Sequence, residues 1–272
     1  MGSATRGPGP AVVDSQSARI TVRALDLAYG SFVIQRNLSF VVEPGQIFVI
    51  MGGSGCGKST LLRTMIGLKE PAAGDVLFDG ESLWHADPED RVRMMRRFGV
   101  LYQSGALWSS MSLAENIALP LQEFSELTPR QVDRVVELKL ALVGLAGFGE
   151  FYPSEISGGM QKRAGLARAM AFDPDILFFD EPSAGLDPVS SRLLDDLILE
   201  LRASLHTTVV IVSHELASIF ALADNAVFLD GDSKTMIATG NPKELLAESA
   251  DPRVRAFLTR GGGPAATEGH GR

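Results

Sequence analysis

The feature that constrains this chain most is a glycine-rich loop that runs from Gly52 to Ser59. Its letters, GGSGCGKS, fit the pattern G-x-x-x-x-G-K-[ST], in which backbone N–H groups surround the phosphates of a nucleotide. An apolar run, Ile47–Ile50, precedes the loop, and Ser59–Gly67 has a composition that suits a helix. Strand, loop and helix in this order predict a phosphate-loop fold, with the positive end of the helix directed at the anions.

The predicted nucleotide contacts come from the loop and the first turn of that helix. Lys58 supplies a mobile cation for the β- and γ-phosphates and is a candidate catalytic residue, and Ser59 offers a hydroxyl to Mg²⁺. We interpret Cys56 as a small filler residue inside the loop and not as a redox group. The candidate nucleotide-binding residues here are Gly53, Ser54, Gly55, Cys56, Gly57, Lys58, Ser59 and Thr60.

A second apolar run, Ile176–Phe179, ends in two acids, Asp180 and Glu181. A buried strand that delivers Asp180 to the edge of a sheet suits a carboxylate that holds Mg²⁺ through water. Glu181 stands one residue further out, where it could polarise an attacking water. Many strands simply end in a solvated acid, but a phosphate loop upstream favours the catalytic interpretation.

The remaining pattern predicts an α/β fold with a mostly parallel sheet. The run Val209–Val212 is apolar without alternation, as expected of a strand buried on both faces. Ile20–Val42 alternates and carries turn residues at Gly30 and Ser31, which predicts an antiparallel hairpin region at the edge of the sheet. Thr128–Gly144 has helical periodicity, with a capping Thr128 followed by a proline.

We expect the following organisation from these patterns. Residues 1–18 form a flexible leader, residues 19–245 form the nucleotide-binding domain, and residues 246–272 form a C-terminal extension whose tail, from Gly261, is disordered. A helical subdomain at about 104–165 is inserted into the core.

Charge and cysteine content narrow the class of protein. The net charge of −8 and the sequence pI of about 5.1 argue against a nucleic-acid partner, which would favour a basic face. One cysteine cannot form an internal disulfide, the apolar runs are strand-sized, and the start of the chain has no signal-peptide pattern. A protein of the cytoplasm is therefore expected.

The residues Ile156–Gln161, with the letters ISGGMQ, resemble the LSGGQ signature of the ABC ATPase family, which that family places before a helix, here Met160–Ala171. Together with the phosphate loop and Asp180–Glu181, the order and spacing fit that family over about residues 19–245. The resemblance implies the ABC ATPase fold and hydrolysis of ATP with Mg²⁺. Met160 departs from the pattern, where the family has glutamine, and this puts the contact of that glutamine in doubt.

The resemblance also implies roles for residues that would be unremarkable alone. Tyr29 matches the aromatic residue that stacks on adenine, and Gln103 matches the glutamine that links Mg²⁺ and water to the helical subdomain. His214 matches the histidine that reads the γ-phosphate. The loop Ser183–Asp187 matches the one that touches the partner subunit.

A dimer follows from the same resemblance. In this family the signature of one subunit closes over the phosphate loop of the other, so Ser157, Gly158 and Gly159 would hold the nucleotide of a second copy. The chain carries each motif once, so two copies complete two sites.

The segment Phe98–Ile117 lies where such ATPases meet their membrane permease subunits, and it looks like the Mla/Mce group, which handles phospholipids in bacterial envelopes. Asp251–Leu258 is similar to that group's C-terminal segment. The resemblance implies a permease, an MCE-type lipid-binding protein and a small STAS-domain protein as partners. It also implies a peripheral position on the cytoplasmic face of the inner membrane.

Three alternatives remain open at this point. The first is the ATPase of an importer for amino acids or other small solutes. The second is a non-transport ABC ATPase that acts on DNA or the ribosome, which the acidic charge and the single cassette disfavour. The third is a plain phosphate-loop kinase, which would leave the signature and His214 unexplained.

Overall fold

A computed structural model describes residues 19–259, so the predicted leader and the tail from Gly261 lie outside the described residues. The strands are β1 (Ile20–Tyr29), β2 (Phe32–Val42), β3 (Ile47–Gly52), β4 (Ala73–Phe78), β5 (Glu81–Ser82), β6 (Phe98–Leu101), β7 (Ile176–Asp180), β8 (Thr208–Val212), β9 (Asn225–Asp230) and β10 (Thr235–Gly240). The helices are α1 (Lys58–Met65), α2 (Pro88–Met95), α3 (Leu113–Phe124), α4 (Pro129–Leu142), α5 (Gly158–Ala169), α6 (Pro188–Leu205), α7 (Leu216–Leu222), α8 (Pro242–Glu248) and α9 (Pro252–Thr259). A 3₁₀ turn, Pro153–Glu155, precedes α5.

A six-stranded sheet with the order β10-β9-β3-β8-β7-β6 forms the centre of the fold. Its strands pair in parallel except at one edge, where β10 runs antiparallel to β9. Every residue of β3 and β8 is buried, which explains why these runs are apolar without alternation. The mostly parallel sheet predicted from the sequence is confirmed.

The predicted antiparallel region is present, but it forms a sheet of its own. β1 and β2 make the expected hairpin, and with β4 and β5 they form a four-stranded sheet with the order β2-β1-β4-β5. A backbone hydrogen bond of 2.7 Å from Arg36 N to Lys234 O joins the hairpin to the residue before β10. The hairpin therefore lies beside the central sheet and does not extend it by strand pairing.

The carboxyl ends of the parallel strands gather the predicted site residues. Because β3, β7 and β8 run in the same direction and are neighbours in the order β3-β8-β7, the segments that follow them leave the sheet at one edge. Those segments are the phosphate loop after β3, Glu181 after β7, and Ser213–His214 after β8. Residues far apart in the sequence thus reach one place through strand direction alone.

Helices α3, α4 and α5 follow β6 and precede β7, in the part of the chain for which a helical insertion is predicted. Ser112 and Glu115 form a capping box at the start of α3, and Pro129 occupies the first turn of α4 after Thr128. The predicted helix Thr128–Gly144 thus corresponds to α4 at Pro129–Leu142, and the predicted helix Met160–Ala171 starts earlier, at Gly158. Ser157 explains the earlier start, because its Oγ caps α5 by accepting a hydrogen bond from Met160 N at 3.3 Å.

The C-terminal helices belong to the packing of the main core. Val254, Phe257 and Leu258 of α9 are buried in the same hydrophobic cluster as β3 and β8 residues, and Phe257 packs edge-on against Phe228 at 5.1 Å. The predicted boundary after residue 245 falls inside α8. Among residues 19–259, no helix has the length and apolarity that crossing a membrane requires.

Candidate active site

The phosphate loop bends around a cavity of about 590 Å³ at the carboxyl edge of the central sheet. Gly57 adopts φ +104°, and a Cβ there would lie 2.5 Å from Ile34 Cγ2, so only glycine fits between the loop and the hairpin. The wall of the cavity is formed by Gly52, Gly53, Ser54, Gly55, Gly57, Lys58, Ser59, Thr60, Gln103, Glu181, His214, Leu216 and Phe257. The structure thus brings most of the predicted site residues to one cavity.

Lys58 is 8% exposed and lies inside the curve of the loop. Its Nζ donates hydrogen bonds to Gly52 O at 3.1 Å and to Gly53 O at 3.0 Å. Both acceptors are neutral carbonyls, so the charge of Lys58 is not neutralised by these partners and can attract an anion. Helix α1 begins at the same residue, which adds its positive end to the field.

A buried glutamine that the sequence analysis missed supports the loop from behind. Gln35 of β2 donates through Nε2 to Cys56 O at 2.6 Å and to Asp230 O at 3.0 Å. Gln35 is fully buried, so these bonds tie the hairpin, the phosphate loop and the end of β9 together. The strand β2 mixes polar and apolar residues, so no local pattern singled out Gln35 for such a role.

Cys56 is the one predicted loop residue that does not line the cavity. Its side chain is 3% exposed and packs in the hydrophobic cluster that also holds Leu61 and Leu229. Burial raises the pKa of the Cys56 thiol, which keeps it protonated and unreactive. The filler interpretation therefore agrees with the packing.

Asp180 and Ser59 meet at the base of the cavity. Ser59 Oγ donates a hydrogen bond to Asp180 Oδ1 at 3.2 Å, although Asp180 itself stands behind the wall residues. A hydroxyl and a carboxylate oxygen at this separation are a donor set that suits Mg²⁺. Within residues 19–259, no group of three or more His, Cys, Asp or Glu side chains could hold a metal ion, so such an ion would take its other ligands from phosphates and water.

Glu181 and His214 form a hydrogen-bonded pair on the wall of the cavity. His214 Nδ1 lies 2.8 Å from Glu181 Oε2, and the backbone N of His214 donates to the same oxygen at 3.3 Å. The Glu181 side chain is 12% exposed, whereas that of His214 is 55% exposed. Glu181 also adopts φ +51°, a left-handed conformation that is costly for glutamate and recurs at functional sites.

The backbone of Glu181 is fixed by the neighbouring strand. Glu181 N donates to Val212 O at 2.9 Å, which extends the pairing of β7 with β8 by one residue. Glu181 is therefore held through both its backbone N–H group and its carboxylate. This arrangement leaves its second oxygen able to accept a proton from a water in the cavity.

Gln103 follows β6, and it is exposed and lines the cavity. Its carbonyl oxygen accepts a hydrogen bond from Lys162 of α5. The side-chain amide can reach into the cavity while the main chain is anchored to α5.

Ser183 and Asp187 mark the ends of the loop for which contact with a partner is predicted. Asp187 caps α6 by accepting from Val189 N and Ser190 N at 3.0 Å. Ser183 is buried, and Ser218 of α7 bonds to it at 3.5 Å and to Asp195 Oδ2 at 2.8 Å. Burial raises the pKa of Asp195 to about 6. Loop, α6 and α7 are thus joined by a buried polar cluster.

Tyr29 is not part of the cavity wall. It ends β1 with its side chain half exposed, and Lys69 Nζ lies 4.2 Å from the centre of its ring. The lysine takes up one face of the ring by a cation–π interaction, a partner that the sequence analysis did not foresee. The other face is the one on which a base could stack.

The signature residues also lie outside the cavity. Ser157 and Gly158 are exposed at the start of α5, Gly159 is partly exposed, and none of the three is among the wall residues in the described part of the chain. The N-terminus of α5, where the first backbone N–H groups have no partner within the helix, is therefore not part of the cavity of its own chain.

Leu216 and Phe257 line the cavity, and the sequence analysis missed both. Leu216 follows His214 by two residues and could have been inferred from that spacing. Phe257 comes from α9, and its position depends on the packing of the C-terminal helices onto the sheet.

Comparison with known proteins agrees with this geometry. The protein-family model described as "ABC transporter" matches residues 35–184. The chain is 41% identical over 239 residues to the intermembrane phospholipid transport system ATP-binding protein MlaF of Haemophilus influenzae, covering 88% of this chain and 89% of that protein. It is 40% identical over the same length to the probable ribonucleotide transport ATP-binding protein mkl of Mycobacterium tuberculosis, covering 66% of that protein.

A solved structure has the same fold. The structure of cbiO1 from Clostridium perfringens, described as part of the ABC transporter complex cbiONQ, superimposes with a TM-score of 0.78. The two chains are 25% identical, and the match covers 85% of this chain and 92% of that one.

Proposed function

Since this chain belongs to the ABC transporter family, whose members bind and hydrolyse ATP, we propose that it drives the transport of phospholipids or related lipids between the membranes of a bacterial envelope. The observation that carries the catalytic part is the hydrogen-bonded pair of Glu181 and His214 on the wall of the phosphate-loop cavity.

The triphosphate binds against the phosphate loop. Backbone N–H groups of the loop, the start of α1 and the ammonium of Lys58 all direct positive charge into the cavity. Ser59, Asp180 and the side chain of Gln103 would hold Mg²⁺, which neutralises the charge that develops on the phosphates. In this proposal Lys58 leaves the carbonyls of Gly52 and Gly53 for phosphate oxygens.

Glu181 acts as the general base. The attacking water gives a proton to the Glu181 carboxylate while the water oxygen forms a bond to the γ-phosphorus. The bond between the γ-phosphorus and the oxygen that joins it to the β-phosphate breaks, which leaves ADP and phosphate. His214 holds one oxygen of Glu181 at 2.8 Å and presents its exposed ring to the γ-phosphate side of the cavity. Gln103, which also lines the cavity, orients the same water.

The active unit is a dimer. Ser157, Gly158 and Gly159 do not line the cavity of their own chain. Their location supports the proposal that they bind the nucleotide held by the phosphate loop of a second copy. ATP held between the loop of one copy and the signature of the other stabilises the closed dimer, and hydrolysis removes that link.

A membrane permease docks on the far side of the Gln103 segment (residues 103–106). A groove of about 400 Å³ lies there between the central sheet and the helical insertion, and Trp108, Phe124 and Phe172 expose 59%, 63% and 42% of their surface around it. Exposed aromatic residues around one groove are typical of a surface that binds a protein segment. The groove suits a short apolar helix of the permease.

The cargo is proposed from the relatives. One is named for phospholipid transport and another for probable ribonucleotide transport, so these two cargoes are the candidates. We favour lipid because the phospholipid relative matches over nearly its whole length, whereas the chain spans 66% of the other. The remaining parts of this proposal are an MCE-type partner, a STAS-domain partner and attachment to the cytoplasmic face of the inner membrane.

Affinity purification of the full-length chain from its own membranes tests the proposal. We expect the preparation to contain a permease, an MCE-domain protein and phospholipid extractable with organic solvent. The ATPase rate of the complex in lipid nanodiscs should respond to phospholipid composition and not to added ribonucleotides or amino acids. Stimulation by a ribonucleotide, or co-purification of a soluble solute-binding protein, would overturn the lipid assignment and leave the ATPase assignment intact.

A further inference from the structure

One face of α5 lies directly against the Gln103 segment. Lys162 Nζ donates a hydrogen bond to Gln103 O. One turn and a half further along the helix, Arg168 donates through Nη2 to Gly105 O at 3.1 Å and through Nη1 to Ala106 O at 2.7 Å. Two cations of one helix therefore hold three carbonyl groups of a segment that reaches the cavity.

Gly165 makes this close approach possible. It lies three residues from both Lys162 and Arg168, so it is next to each of them on the helix surface. A Cβ at Gly165 would lie 2.9 Å from Gly105 O and 2.9 Å from Leu101 Cδ1, so any larger residue would push the segment away. The face is thus shaped for contact with main-chain atoms.

The burial of Lys162 fixes its position. The residue is 5% exposed, so its ammonium group is largely removed from water. A buried ammonium without a partner is strongly destabilising, so the bond to Gln103 O must be kept for the fold to accept the charge. Exchange of this contact for water is correspondingly disfavoured.

The same helix begins at the signature, because Ser157 caps α5. We propose that Lys162 and Arg168 are positioning residues, which fasten the Gln103 segment to the signature helix so that Gln103 and Ser157 move as one body. This inference rests on the proposed function, and it concerns how the water-orienting and metal-contacting glutamine is placed. A shift of α5 that brings Ser157 to a partner's nucleotide would carry Gln103 with it.

The chain offers a matched control for Lys162. Lys139 of α4 is also a buried lysine, with 2% exposure, and it is paired with Asp173 in the segment between α5 and β7. Lys139→Met therefore removes a buried, hydrogen-bonded ammonium without touching the Gln103 segment. Lys162→Arg keeps a cation and a donor and serves as the conservative variant.

Hydrogen exchange of the purified full-length protein measures the anchoring directly, whether or not the protein hydrolyses ATP. In Lys162→Met we expect amides of residues 103–108 to exchange at least about tenfold faster than in the unmodified chain, because a local opening no longer breaks the bond to Gln103 O. Amides of the phosphate loop should be unchanged. Lys139→Met should leave residues 103–108 unchanged, and Lys162→Arg should restore most of the protection.

Kinetics measure the functional consequence. Misplacement of Gln103 should lower the kcat of Lys162→Met about ten- to a hundredfold and raise the Mg²⁺ concentration needed for half-maximal rate. Binding of ATP in the absence of Mg²⁺ should change less than about twofold, because the loop contacts remain. Lys162→Arg should recover kcat and the Mg²⁺ dependence together.

Two results would overturn the inference: unchanged exchange at residues 103–108 in Lys162→Met, or equal changes in Lys139→Met. If Lys162→Met does not fold, Lys162→Gln and Arg168→Lys are measured in its place with the same criteria. Absence of ATP hydrolysis in the unmodified chain and its complex would instead contradict the proposed function, and the exchange result would still decide the anchoring.

Discussion

His214 Nδ1 lies 2.8 Å from Glu181 Oε2, although the two residues are 33 positions apart in the sequence. The contact arises because β7 and β8 are parallel neighbours, with Asp180 directly opposite Val212. Each strand ends within two residues of its site residue, so the sheet brings the two side chains together. The histidine holds the carboxylate, and the carboxylate fixes which ring nitrogen carries the proton.

If His214 acts partly through Glu181, the effects of removing them should not add. We expect Glu181→Gln to lower kcat by about 10²–10⁴ and His214→Ala to lower it by a comparable factor. The double variant should be little slower than the worse single variant, because the two residues act as a unit. Steady-state ATPase assays at saturating Mg-ATP measure the three rates.

Glu215→Gln is the control for this cycle. Glu215 Oε1 lies 4.0 Å from His214 Nε2, and its side chain is 49% exposed, so it offers a carboxylate to the other ring nitrogen without lining the cavity. We expect this variant to keep kcat within about twofold. Fully additive losses in the Glu181–His214 cycle would show that the pair is not a functional unit.

Burial of Asp195 should make the stability of the folded protein fall as the pH rises. Burial raises its pKa from the ordinary 3.8 to about 6, so the folded protein binds a proton between these values that the unfolded chain does not. Stability from this group is full below pH 3.8 and is lost as the pH rises through 6. At pH 8 the buried carboxylate should cost about 1–3 kcal/mol relative to its protonated form.

Asp195→Asn should therefore raise the melting temperature at pH 8 by about 2–6 °C, because the amide can still accept from Ser218 and carries no charge. At pH 5, which lies between the two pKa values, the gain should fall to about half. Asp196→Asn, at the exposed neighbouring position, should shift the melting temperature little at either pH. A loss of stability in Asp195→Asn at pH 8 would contradict this explanation. Thermal unfolding followed by circular dichroism at both pH values is the measurement.

Tyr29 should contribute to binding of the base and not of the phosphates. Since Lys69 covers one face of its ring, adenine can stack only on the other face. Tyr29→Ala should weaken ATP binding by about 1–3 kcal/mol, the scale of base stacking on an aromatic side chain. Calorimetry with ATP and with tripolyphosphate separates the two parts, and only ATP should lose affinity.

Tyr29→Phe and Lys69→Met complete that comparison. The phenylalanine keeps the ring and should bind ATP within about twofold of the unmodified chain. Lys69→Met removes the cation but leaves the stacking face free, so its effect should also be small. A weaker affinity for tripolyphosphate in Tyr29→Ala would mean that the tyrosine supports the loop and not the base.

Local patterns were sufficient to predict the loop at Gly52–Ser59, the two acids at the end of β7 and the main strands. In each case the residues that carry the signal are consecutive, and strand direction then determines which edge they reach. The mostly parallel sheet could be predicted for the same reason, since β3 and β8 are uniformly apolar.

Contacts between distant elements could not be predicted. The bond from Gln35 to Cys56 O, the cation of Lys69 on Tyr29 and the position of Phe257 each depend on how separate layers pack, and no spacing rule joins their partners. The sequence predicts the hairpin at the edge of the central sheet, whereas the structure places it in a separate sheet. Alternation of apolar residues shows which face of a strand is buried, but it does not show which strand is the neighbour.

The central claim is that one nucleotide is held by two copies of the chain, and the molar mass of Glu181→Gln in solution tests it most directly. Size-exclusion chromatography with light scattering should give twice the mass of a single chain in saturating Mg-ATP and the mass of a single chain in ADP. Ser157→Arg added to Glu181→Gln should prevent the dimer. A Glu181→Gln protein that binds Mg-ATP and remains a monomer would contradict the account.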